Sequence, residues 1–186
     1  MKKFAAYIAL SLFLSMQFVI ADDISDTIKI FQNAGDSSKF FNNSYGYAVF
    51  PTIGKAGFGI GGAFGEGQVF EQGKHVGMAS MSQLSIGFQL GAQGYSQIVF
   101  FQDKRAFNEF TNGNFEFSAT AEAVAITAGA SASARTSGSS TSVSGGQNNA
   151  DTVGRYNKGM AIFTVAKGGL MYEASVAGQK FKYKAK

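Results

Sequence analysis

Residues 84–93 alternate without a break. Leu84, Ile86, Phe88, Leu90 and Ala92 fall on one side; Ser85, Gly87, Gln89, Gly91 and Gln93 fall on the other. Side chains of a strand point alternately to its two faces, so this pattern predicts a half-buried antiparallel strand. Residues 47–70 alternate differently. Phe58, Ile60, Gly62 and Phe64 share one face, while Gly57, Gly59, Gly61, Ala63 and Gly65 leave the other almost bare backbone. Glycine weakens a strand, so this many predict bends, bulges or a closely packed second element.

Further strands are predicted around these two. One covers residues 46–50 and stops at Pro51. Residues 68–71 extend the glycine-rich strand, 72–74 turn, and 75–80 form another strand. Residues 95–101 are apolar on both sides at Ile98, Val99, Phe100 and Phe101, which predicts a central position. Residues 114–128 read as a strand with Phe115 and Phe117 leading a run of alanines on one face. Residues 155–166 and 170–177 read as two more strands around a turn at 167–169. Last, Phe181 and Tyr183 interleave with Lys180, Lys182 and Lys184.

Helical signals are shorter. Asp22, Asp23 and Asp26 favour a helix start at 22–33, since acids suit the positive end of the helix dipole. Ile24, Ile28 and Phe31 lie at i, i+4 and i+7, one apolar stripe. Gly35 ends this helix, and Asp36 is expected to cap a second through Phe40 and Phe41. Asp103 is expected to cap a third carrying Ala106, Phe107 and Phe110, ended by Asn112 and Gly113.

The expected fold is mainly β with short helices (α+β). Eight or nine strands form an antiparallel, glycine-rich, twisted sheet curled into a barrel or sandwich, because open edges invite aggregation. An N-terminal helical segment and one mid-chain helix accompany it.

Composition narrows this further. Lys2 and Lys3 precede a mostly apolar run from Phe4 to Ile20, the form of a secretory signal with cleavage expected after Ala21. Residues 22–186 are then one domain, exported to the periplasm or beyond, with 131–149 a mobile polar loop. Without the two leading lysines, 14 basic residues face 12 acidic ones, a net +2 that marks no nucleic-acid binder. There is no cysteine, so no disulfide or thiol chemistry. Nineteen phenylalanines with no tryptophan suit a Phe-packed β core.

Catalytic signals are thin. Gly57, Gly59 and Gly62 fit the dinucleotide-binding spacing, but that motif needs a helix next, and Gly65-Glu66-Gly67-Gln68 starts none. His75 is the lone histidine, too few for a multi-histidine metal site. Glu66, Glu71, Glu116, Glu122 and Glu173 offer carboxylates without a marked cleft. The expectation is no enzyme and no cofactor.

Two features read toward a membrane. The Ile24, Ile28, Phe31 stripe either covers the core or lifts off and lies on a bilayer. The lysines of the last strand either guard an edge or meet anionic headgroups.

Four runs carry a family resemblance: YAVFPTIGKAGFGIGGAFGEGQVF, SIGFQLGAQGYSQIVFFQDKRAFNEF, FEFSATAEAVAITAGA and KGGLMYEASVAG. Their glycine order and spacing resemble the SYLF domain family, over most of the chain from Tyr47. The resemblance implies a phospholipid-binding module. Eukaryotic members look like phosphoinositide- and actin-associated adaptors, with an N-terminal amphipathic segment and basic residues in lipid contact. The secretory leader argues against actin as a partner here. The expectation is therefore an exported module that associates peripherally with anionic phospholipid membranes. Ile24, Ile28 and Phe31 would insert. Lys55, Lys74, Lys104, Arg105, Lys180, Lys182 and Lys184 would meet headgroups. An integral outer-membrane β-barrel and a secreted self-associating protein are the alternatives; the oligomeric state stays open.

Overall fold

The computed structural model describes residues 23–118, 121, 123–126, 155–167 and 176–186, with the backbone alone at 56–60 and 85–93. Three helical pieces come first: α1 at 23–33, α2 (Gly35–Ser38) and α3 (Phe40–Asn43). Then follow β1 (Gly46–Glu71), β2 (Lys74–Phe101), α4 (Lys104–Thr111), β3 (Asn114–Glu116), β4 (Val124–Ile126), β5 (Met160–Lys167) and β6 (Lys180–Ala185). The leader, the polar stretch 131–149 and residues 170–175 of the strand expected at 170–177 lie outside the described residues; Val176 and Ala177, which are described, are not in a strand.

The strands expected separately between 46 and 101 merge into one hairpin. β1 and β2 pair antiparallel from Gly46 opposite Phe101 to Glu71 opposite Lys74. Gln72 and Gly73 make the turn with φ of 48° and 80°, the doubly positive geometry that suits strand twist. Pro51 does not stop β1, as the sequence suggested. The register slips between Phe50 and Ile53, and the Pro51 carbonyl accepts from Ser96 Oγ at 2.7 Å. Proline is tolerated at a bulge on an edge strand, and among the described strands β1 pairs only with β2.

So long a hairpin doubles over. Residues 46–53 pair with the end of β2, and 62–71 pair with its start. The two arms of β1 then meet face to face through glycine. A β-carbon on Gly67 would strike the Val49 carbonyl and the Phe50 ring; one on Gly65 would lie 2.6 Å from Ile53 Cγ1 and 2.9 Å from the Thr52 carbonyl. The bare face read from sequence is thus where the chain packs on itself.

β2 organises the rest. Its first arm pairs with β6, which pairs with β3; its second arm pairs with β5, which pairs with β4. The β4–β5 pair is parallel, so the sheet is mixed rather than wholly antiparallel. Among the described strands it ends at β3 and β4 and does not close into a barrel.

Apolar layers lie on both faces. One fills the fold between the arms: Phe50, Ile53, Val69, Met81, Val99 and Phe101 pack with Phe107 and Phe110 of α4 and Phe181 of β6. Ring centroids stand 4.9 Å apart for Phe101–Phe110 and 5.1 Å for Phe110–Phe181. The other lies under the N-terminal helices, where Ile24, Phe31 and Phe40 cover Val49, Ile98, Phe100 and Phe163. The 95–101 segment is apolar on both sides because it faces both layers.

A buried amide cluster ties the arms together. Gln97 and Gln179 exchange hydrogen bonds of 2.9 and 3.1 Å, and Gln179 Nε2 also donates to the Tyr95 hydroxyl at 3.0 Å. Gln83, on the other arm of β2, donates to the Ala177 carbonyl at 2.9 Å. Buried amides must be paired, so this cluster holds the bend in one arrangement.

Three local expectations change. Asp36 sits in the first turn of α2 and does not cap it; Ala34 holds that position without a side-chain bond. Residues 114–128 divide into β3 and β4, which pair with different strands. β5 starts at Met160, because Lys158 and Gly159 turn with φ of 51° and 84°. Asp103 does cap α4, its Oδ1 accepting from the Ala106 N–H at 2.8 Å.

Candidate functional site

The apolar stripe of α1 faces inward. Ile24 and Phe31 are buried, and Ile28 packs half-buried beside them against the Phe100–Phe163 layer. The start of α1 is held as well: Lys167 Nζ stands 3.6 Å from Asp23 and donates to Thr52 Oγ1 at 2.7 Å. Contact of these three side chains with lipid would require α1 to leave the sheet.

The seven basic candidates are not one patch. Lys74 sits at the hairpin turn and Lys55 in the bend. Lys104 and Arg105 open α4, where Arg105 pairs with Glu109 at 2.7 Å and Asp103 at 4.0 Å. The Glu109 hydrogen bond, with both nearby acids, holds the guanidinium above its ordinary value. Only Lys180, Lys182 and Lys184 come together, as an exposed row along β6.

That row belongs to a wider surface built by register. Residues directly opposite in neighbouring strands share a face. Across β1, β2, β6 and β3, Phe64, Ser82, Lys180 and Glu116 line up; Glu66, Ser80, Lys182 and Asn114 form the next rank. Gln68, Met78 and Lys184 make a third, and Gly62 faces Leu84 beyond them. The opposite faces of these strands carry Ala63, Met81 and Phe181 into the core, so this side looks outward.

It is an unusual outer face. Leu84 is 87% exposed, Phe64 58% and Met78 38%. Lys180 pairs with Glu116 at 3.6 Å, whereas Lys182 and Lys184 make no ion pair among the described residues. Sequence reasoning missed Phe64, Met78 and Leu84 as surface positions. Alternation shows that Leu84 shares a side with other apolar residues, but only pairing with the β6 lysines shows which side faces water.

Groups with acid–base potential are scattered. His75 Nε2 contacts the Gly77 carbonyl at 3.0 Å, and its ring lies by Phe70. Glu71 accepts from the Tyr45 hydroxyl, and that bond raises the phenol above its usual range. A pocket of about 170 Å³ beside α4 holds Glu109 and Glu116 with Phe115, Phe117 and Met160. No histidine or acid cluster fit for a metal occurs among the described residues. Glu122 and Glu173 lie outside them.

Residues 82–185 match the model of the family described as Las17-binding protein actin regulator. The chain belongs to this SYLF-type family. The matched span takes in β2 from Ser82 onward, α4 and every later described strand, so it includes the β6 lysine row but not Phe64 or Met78. The chain is also 27% identical over 167 residues to beta cell expansion factor A of Aeromonas veronii. That alignment covers 88% of this chain and 56% of the relative, so the chain spans little more than half of that protein's length.

Proposed function

We propose that this protein is an exported, non-catalytic phospholipid-binding module that attaches peripherally to anionic membrane surfaces. The observation that carries the reading is the outward face of β1, β2, β6 and β3. It sets Lys182 and Lys184, without acidic partners among the described residues, beside exposed Phe64, Met78 and Leu84. A monomer has little reason to spend such side chains on water, and lysines mixed with apolar groups suit a headgroup region. Membership of the SYLF-type family points the same way. The leader read at 1–21 supports export to the periplasm or beyond. Export argues against actin, which the family description names, as the partner here.

Each lysine near an anionic surface contributes about 1 kcal/mol, so binding is shared and no single lysine abolishes it. Flotation with vesicles of increasing anionic content and increasing salt tests the reading. Binding should rise with anionic lipid and weaken with salt. Equal binding to neutral vesicles at high salt would remove the headgroup contribution, and no flotation at all would end the proposal. Self-association through the same exposed face is the second reading; a mass independent of concentration in sedimentation counts against it.

A further inference from the structure

We infer that the corner of the folded hairpin at Phe64 and Leu84 is the part that enters the bilayer, with Lys182 and Lys184 at the lipid phosphates and α1 still docked. This inference rests on the lipid-binding reading above and assigns it a site. Gly62 faces Leu84 and Phe64 faces Ser82, so Phe64 and Leu84 are diagonal neighbours across β1 and β2. They are the two most exposed large apolar side chains of the described residues. Met78 continues the surface toward Lys184, which lies opposite it.

The composition of this face selects a bilayer over a protein partner. Protein interfaces are depleted in lysine and favour arginine. Here the basic groups are lysines alone, with Ser82 and Ser80 opposite Lys180 and Lys182 and Met78 opposite Lys184 on the neighbouring strand. A lysine stem can lie along apolar surface while its ammonium reaches a headgroup. Charge agrees: Glu116 occupies Lys180 and Glu66 lies two strands from Lys182, but Lys182 and Lys184 have no ion-pair partner among the described residues. The helix is the less suitable wedge. Ile24 and Phe31 are core residues, and Lys167 and Thr52 hold Asp23 at the helix start. Freeing them would open the layer over Phe100 and Phe163, whereas Phe64 and Leu84 are exposed without any movement.

The chain has no tryptophan, so a single one reports its own surroundings. Leu84→Trp and Ile28→Trp proteins are titrated with phosphatidylglycerol–phosphatidylcholine vesicles, with flotation run in parallel. Leu84→Trp emission should shift to the blue and gain protection from iodide; Ile28→Trp emission should not change. Phe64→Ser with Leu84→Ser should lower vesicle partitioning by about tenfold or more while leaving the melting curve in place. Asp23→Ala with Lys167→Ala, which unties the helix start, should leave partitioning unchanged. Flotation without a Leu84→Trp shift, or a gain in binding on untying α1, overturns the site while the lipid-binding reading survives. A Leu84→Trp shift that follows protein concentration without vesicles overturns it in favour of a second copy. Failure of every form to float overturns both.

Discussion

Gly67 has no room for a β-carbon, and that fact fixes the crossing of the two arms of β1. Adding one would push into the Val49 carbonyl and the Phe50 ring, both in packed structure. Gly67→Ala should therefore destabilise the fold by roughly 1–3 kcal/mol, the usual range for overpacking. Gly54 has open space around its missing β-carbon, so Gly54→Ala should change little. Urea unfolding of the pair reads the contrast. Tyr95 gives a second residue-level test. Burial pushes its phenol up to about 12, against the pull of the Gln179 hydrogen bond. A tyrosine of the unfolded chain ionises near its ordinary value of 10.0. Above that pH the unfolded chain holds fewer protons than the folded one, so stability is complete below about 10 and drains away toward 12. The loss is roughly 2–3 kcal/mol for this group. Tyr156, raised by burial to about 12, acts in the same direction. Urea midpoints should fall across that window, and Tyr95→Phe should show a smaller fall.

At the scale of elements, the short helices were the more legible part. The α1 stripe, the Asp103 cap and the buried face of α4 follow from spacing and local chemistry, and all three stand in the structure. Which surface the α1 stripe meets was not legible. The same three residues fit a core or a bilayer, and only the apolar underside of β2 and β5 supplies the partner. Phe31, fully buried there, makes a direct test: Phe31→Ala should cost about 3–5 kcal/mol by thermal or urea unfolding. Strand periodicity sorted β1 and β2 into two sides but showed neither which side faces the core, since Phe64 and Leu84 of the apolar sides lie exposed, nor the continuity of the strands. Pro51 and the glycines look like strand ends in one dimension, whereas a bulge and a fold-over absorb them in three. The split of 114–128 was likewise hidden, because β3 and β4 differ in partner rather than in pattern.

For the molecule as a whole, the doubled hairpin explains why the candidate surface escaped sequence reasoning. Folding β1 and β2 back on themselves buries the outer arm's Ala63, Val69, Ala79 and Met81 against the other arm. The reverse side of that arm is left to water, along with Phe64, Met78 and Leu84. β6 then lays its lysines beside them. The lysine row was visible as a repeat in the sequence; its apolar neighbours come from residues a hundred positions earlier. Function is expected to reside on this exterior, with the buried glutamines and phenylalanines serving only to hold it in place. The most direct measurement is flotation of the wild type beside one variant carrying Phe64→Ser, Leu84→Ser, Lys182→Gln and Lys184→Gln, on anionic vesicles at low salt. The wild type should float and the variant should stay with the soluble fraction, with the two unfolding at the same urea concentration. Equal flotation of the two would contradict the account.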